Sequence, residues 1–124
     1  MILADTSIWI DFLGKPGNLV LEHLLDDGQV TTHPCIIGEL ALGSMSNRDV
    51  ILSSLMALPQ VKAVTFEEAL HLLHQAELYR LGIGYIDLHL LASTLMTDDV
   101  RLWTRDRRLQ QACAKINVPT YSPH

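Results

Sequence analysis

Met1-Ile2-Leu3-Ala4-Asp5-Thr6-Ser7-Ile8-Trp9-Ile10-Asp11-Phe12-Leu13 opens the chain and decides its fold class. Ile2 to Ala4 form a short apolar strand. Asp5 ends it, and Ser7 stands where it can cap a helix carrying Ile8, Trp9, Phe12 and Leu13, halted by Gly14-Lys15-Pro16-Gly17. A strand that passes straight into a helix is the first half of an α/β unit, and the rest of the sequence repeats the alternation.

A second helix covers Leu19 to Asp26, and Gly28 turns the chain into Gln29-Val30-Thr31-Thr32, whose β-branched residues suit a strand. Pro34 fits the first turn of a helix with Ile36, Ile37 and Leu40 as its apolar stripe; Glu39 lies beside that stripe, and Gly43 follows one helical turn later. Ser46-x-x-Asp49 has the form of a helix start before Val50 to Leu58, and Val61 to Val64 can form a strand. Thr65-x-x-Glu68 is a capping box before a long helix to about Leu81, with Gly82-Ile83-Gly84 beyond it. Asp87 opens the mostly apolar run Leu88 to Leu95, which must be largely buried. Arg101-Leu102-Trp103 is strand-like, Asp106 begins a last helix with Leu109 and Ala112, and Val118 to Tyr121 supply a final short strand. Strands separated by helices imply an α/β fold with a central, mostly parallel sheet of four or five strands and helices on both faces. The first strand belongs in the middle.

With 124 residues, 48% of them hydrophobic, the chain is expected to be a single domain spanning 1–124. No apolar run approaches the roughly 20 residues needed to span a bilayer, and the N-terminus lacks the pattern of a signal peptide, so the expected location is cytoplasmic. Cys35 and Cys113 stand far apart outside any Cys-x-x-Cys pattern, as reduced core residues do. The net charge of −5 argues against binding nucleic acid through a broad basic surface. The cations are concentrated, however: Arg101, Arg105, Arg107 and Arg108 surround Asp106, either as a solvated helix start or as contacts for phosphate.

Four acids stand beside these elements: Asp5, Glu39, Asp87 and Asp106. Each has an ordinary explanation, Asp5 and Asp106 as caps, Asp87 in a first helical turn and Glu39 on a surface. Three of them nonetheless lie where strand-to-helix connections converge in a parallel sheet, the edge that holds ligands in open α/β folds. Two carboxylates about 4 Å apart repel by roughly 4 kcal/mol at an effective dielectric of about 20, so a gathering of four requires protons or cations. Hard oxygen donors without thiolates or a His cluster favour Mg²⁺ or Mn²⁺, and such ions suit phosphate chemistry.

The segments Ala4 to Leu13, Glu39-Leu40-Ala41-Leu42-Gly43, Ile86 to Ser93 and Leu102-Trp103-Thr104-Arg105-Asp106-Arg107-Arg108-Leu109 resemble, in order and spacing, the motif blocks of PIN-domain nucleases, in particular VapC-type toxins. The resemblance implies a three-layer α/β/α fold, a Mg²⁺- or Mn²⁺-dependent endoribonuclease, a small antitoxin partner and a homodimer. It matches Asp5, Glu39, Asp87 and Asp106 to an acidic quartet, with Asp5 and Asp87 as direct metal ligands and Glu39 and Asp106 acting directly or through water. Thr104 matches a hydroxyl residue that orients a carboxylate or water, and Thr6 or Ser7 could do the same beside Asp5. Arg105, Arg107 and Arg108 become candidate contacts for the RNA substrate. The implied reaction is in-line attack of activated water on an RNA phosphodiester, leaving a 5′-phosphate and a 3′-hydroxyl.

Other readings compete. The chain could be a catalytically silent PIN-like module that binds RNA or protein. An aspartyl-phosphate phosphatase would need a second Asp that Asp5-Thr6-Ser7 lacks. Glu67, His71 and His74 share a helical face and offer a separate transition-metal site. Trp9 and Trp103 could stack a base, although their apolar neighbours point to packing.

Overall fold

The computed structural model describes residues 1–123. Its elements run β1 (Ile2–Ala4), α1 (Thr6–Leu13), α2 (Leu19–Asp26), β2 (Val30–Thr31), α3 (Pro34–Leu42), α4 (Arg48–Met56), α5 (Phe66–Gln75), α6 (Tyr85–Met96), β3 (Arg101–Trp103) and α7 (Arg107–Lys115). The sheet is parallel, ordered β2-β1-β3, with Ile2 opposite Val30 and Arg101. The first strand is central, as the alternation predicts.

The sheet has three strands among the described residues rather than four or five. At each expected extra strand the chain makes a single parallel bridge, Thr32 with Gln60 and Leu102 with Thr120. Proline precedes both bridge residues, Pro59 and Pro119, and has no N–H to extend a ladder. The Val61 N–H still bonds the Thr32 carbonyl at 2.9 Å, but the Lys62 N–H donates to Thr97 Oγ1 at 3.1 Å, and the pairing stops there.

Helix starts follow from local chemistry, with two corrections. Asp5, not Ser7, is the N-cap of α1, its carboxylate accepting from the Ile8 N–H. Both residue types cap well; Asp5 wins because its backbone is extended, as the last position of a strand requires. Helix α4 begins after Asn47 in the left-handed region, without a side-chain cap, so Ser46 does not start it, and the helix stops at Met56. The capping box of Thr65 and Glu68 forms with both reciprocal bonds, at 3.1 and 2.9 Å. Helix α5 ends at Gln75, well short of Leu81. Glu77 adopts φ +54°, and the Leu78 N–H reaches back to the Leu73 carbonyl at 3.0 Å, a closing pattern usually made with glycine. Leu78 is thereby tucked into the core at 2% exposure.

All three residues of β1 and Leu88 to Thr94 of α6 are buried, and the core runs continuously from Ile2 to Val118. Each fully buried Leu contributes about 1.5–3 kcal/mol of transfer free energy, so β1 and α6 hold their ends with little freedom. Asp5 follows β1, and Asp87 lies in the first turn of α6. Among the described residues no helix is long and apolar enough to cross a membrane. Cys35 and Cys113 are free thiols; burial, the largest effect, pushes the Cys113 thiol up to about 11.

Candidate active site

Asp5 leaves the carboxyl end of the central strand with its backbone N–H still bound to the Trp103 carbonyl at 3.0 Å. Its side chain turns inward and is 6% exposed. Ser7 Oγ donates to Oδ1 at 2.5 Å, and the Ile8 N–H donates to the same oxygen at 3.3 Å. Burial raises the Asp5 pKa above the ordinary carboxyl value, and the Ser7 and Thr104 hydroxyls beside it oppose that rise.

Ser7 and Thr104 perform parallel tasks. The Ser7 hydroxyl donates to Asp5 and the Thr104 hydroxyl stands beside it, and each accepts a backbone N–H from the turn that carries Asp106: Arg105 N–H to Ser7 at 3.2 Å, and Asp106 N–H to Thr104 at 3.0 Å. Ser7 thus ties Asp5 to the Asp106 turn, and Thr104 braces that turn. Thr104 is fixed further by Gln110, whose Nε2 donates to its carbonyl at 2.9 Å. Asp106 caps α7 with Oδ1 alone, accepting from Arg108 and Leu109 at 2.8 and 3.1 Å.

Asp87 is the third residue of α6, half-buried, with Oδ2 accepting the Gly84 N–H at 3.3 Å. Its pKa is raised, first by burial and then, against the pull of the Gly84 N–H, by the negative charges of Asp106, Asp5 and Glu39. The four acids therefore share one electrostatic field. Glu39 joins from an exposed position on α3, where Thr6 Oγ1 donates to its Oε1 at 2.6 Å. Both hydroxyls after Asp5 hold a carboxylate, Thr6 that of Glu39 and Ser7 that of Asp5. An open groove of about 740 Å³ begins at Thr6 and Glu39 and continues past Gly43 to Met45 and Ile51.

Among the described residues no three His, Cys, Asp or Glu side chains stand close enough to grip one ion, neither in the quartet nor at Glu67, His71 and His74. The donor chemistry separates these places. The quartet offers hard carboxylate oxygens only, with one oxygen each of Glu39, Asp87 and Asp106 free of the hydrogen bonds above. The one ion pair among the described residues joins Arg105 to Asp11, so no Lys or Arg neutralises any member of the quartet. A hard divalent cation fits that need.

The three arginines part company. Arg105 pairs with Asp11 of α1. Arg107 lines a second groove with Asn18, Trp103, Thr104 and Tyr121. Arg108 lies against Gly82, where an added Cβ would stand 2.8 Å from its Cδ. Trp9 and Trp103 are 3% and 6% exposed and pack edge-on against Phe12 and Tyr121, which removes both as base-stacking platforms. His33, on which the sequence reading is silent, caps α3; its signal is its place immediately before Pro34, since Pro favours the first helical position.

The PIN domain family profile matches residues 2–115. Ribonuclease VapC32 of Mycobacterium tuberculosis, strain CDC 1551 / Oshkosh, is 45% identical over 118 residues, covering 95% of this chain and 94% of that protein. The protein of the same name from strain ATCC 25618 / H37Rv matches to the same extent.

Proposed function

The chain belongs to the PIN-domain family, among its VapC-type members, and from that premise we propose that it is a Mg²⁺- or Mn²⁺-dependent endoribonuclease acting as the toxin of a toxin–antitoxin pair. Its substrate is RNA and its partner a small cognate antitoxin; the working form is a cytoplasmic homodimer. The observation that carries the metal site is the crowding of negative charge on Asp87 by Asp5, Glu39 and Asp106 without a compensating protein cation.

Asp5 and Asp87 are the direct ligands in this reading, with Glu39 and Asp106 reaching the ion directly or through water. The bound ion would supply positive charge at the scissile phosphate and lower the pKa of the attacking water. The chain's own groups do the positioning. Ser7 and the Ile8 N–H hold Asp5, Thr104 holds the Asp106 turn beside it, Thr6 holds Glu39, and the Gly84 N–H holds Asp87. Each bond orients a carboxylate before substrate arrives, which lowers the entropic cost of assembling the site. Arg107, in the groove beside Thr104, is placed to take a flanking phosphate, with Arg105 and Arg108 as further candidates.

A mixed RNA pool tests this proposal. Cleavage is expected with Mg²⁺ or Mn²⁺, and its loss with EDTA and in Asp5→Asn and Asp87→Asn. Activity unchanged in both variants would sink the site; Mg²⁺ binding without cleavage of any RNA offered would favour the silent module.

A further inference from the structure

Outside the carboxylates, two histidines are buried with ring nitrogens that have no partner. His33 is 2% and His89 8% exposed. Their rings lie T-shaped with centroids 6.4 Å apart, and Nε2 of each is buried without a hydrogen bond among the described residues. A buried polar atom left in that state costs roughly 1–3 kcal/mol, so two such atoms in neighbouring rings call for a common explanation.

The cap of α3 settles the His33 tautomer. His33 Nδ1 accepts the Cys35 N–H at 2.9 Å, which places the proton of a neutral ring on Nε2. That atom is then a donor in need of an acceptor, and it has no lone pair with which to ligate a metal. His89 Nε2 supplies a lone pair when its own proton is on Nδ1. Burial, followed by the neighbouring His89, lowers the His33 pKa below the ordinary imidazole value. The Tyr85 ring packs edge-on against His89, with centroids 4.6 Å apart, and limits rotation of that imidazole.

We propose that His33 and His89 are positioning residues forming one hydrogen-bonded couple, His33 Nε2–H donating to His89 Nε2 through one water, and that this couple sets the separation of Glu39 from Asp87. The inference rests on the metal-site reading of those two acids. His33 caps the helix that carries Glu39, and His89 is two residues beyond Asp87 on α6. Among the described residues no backbone hydrogen bond joins α3 to α6, so this side-chain link is the polar tie between the two ligand-bearing helices.

The first arm of the test is a long-range ¹H–¹⁵N spectrum of the labelled metal-free wild type. It should show His33 protonated on Nε2 and His89 on Nδ1; a His89 proton on Nε2 overturns the couple. The second arm is calorimetric titration with Mg²⁺. His33→Asn keeps an oxygen for the Cys35 N–H, and His89→Phe keeps a ring against Tyr85. Each should weaken Mg²⁺ binding about tenfold, as loss of a supporting contact around metal ligands does. The double variant should bind no more weakly than the weaker single, since the two act as a unit. Affinities within twofold of wild type in both singles, or effects that simply add, overturn the spacing role. The spectra need neither metal nor RNA, so a failed couple is told apart from a failed nuclease. A wild type that binds no Mg²⁺ overturns the metal-site reading and the spacing role with it.

Discussion

Asp87→Asn should make the metal-free protein more stable while destroying its activity. The substitution keeps the size of the side chain and an oxygen for the Gly84 N–H, so the one hydrogen bond of Asp87 survives. What disappears is a half-buried charge held in the field of Asp106, Asp5 and Glu39. Because these effects raise the Asp87 pKa, the native state binds that proton more tightly than the unfolded chain. The contribution of Asp87 is therefore fully favourable below the unfolded carboxyl pKa and is lost as pH rises through the raised native value. Removing partly exposed, screened repulsion is worth on the order of 1 kcal/mol, or about 3–5 °C in a domain of this size. Scanning calorimetry in EDTA should show that gain at pH 8 and little of it at pH 3.5, where the wild-type carboxyl is itself mostly protonated. Added Mg²⁺ should reverse the order, because an ion that binds only the native state stabilises the wild type by mass action. RNA cleavage should fall by on the order of 10²–10³, the usual cost of a preorganised group aimed at developing charge. A variant less stable than wild type at pH 8 in EDTA would refute the reasoning and make Asp87 a structural cap.

Thr104→Val keeps shape but leaves the Asp106 N–H without its acceptor and removes the hydroxyl beside Asp5; it should cost about 1–3 kcal/mol by denaturant titration and lower the cleavage rate at saturating RNA. Thr104→Ser should recover most of the loss. Gly82→Ala meets both a left-handed φ of +76° and the Arg108 side chain, so a loss of about 1–2 kcal/mol is expected in thermal unfolding. Pairing it with Arg108→Ala should recover the steric part only. Arg107→Ala should leave stability unchanged and reduce the slope of RNA affinity against salt by about one ion.

The amino-acid sequence carries much of this architecture locally. Helix α2 runs from Leu19 to Asp26 as the pattern predicts, and the capping box of Thr65 and Glu68 needs only residues three apart. The end of α5 is different, because Glu77 takes a positive φ that its residue type disfavours in order to bring Leu78 into the core; that choice is tertiary. The missing edge strands have the same character. Val61 to Val64 has strand composition, but Pro59 and the pull of Thr97 on Lys62 decide the pairing. At the site, the identities of the four acids are legible because helix-start and strand-end positions can be counted. Their support is not: Thr6 reaches Glu39 across 33 positions, Arg105 reaches Ser7 across 98, and His33 approaches a histidine on another helix.

Capping and metal binding, which compete as explanations of each acid, are compatible in the folded chain. Asp106 uses one oxygen for two helical N–H groups, and Asp87 uses one for Gly84, leaving the second of each available. Three of the four acids sit at helix N-termini, where the partial positive charge of the backbone favours an anion by about 0.3–1 kcal/mol. That bias helps the fold gather carboxylates at one sheet edge without spending a Lys or Arg on them. It does not relieve the group: burial raises both Asp5 and Asp87, and at Asp87 the charges of Asp106, Asp5 and Glu39 add to that rise. The same helix starts that hold each acid in place thus leave the group short of positive charge, a deficit that a divalent ion between α1, α6 and α7 would relieve.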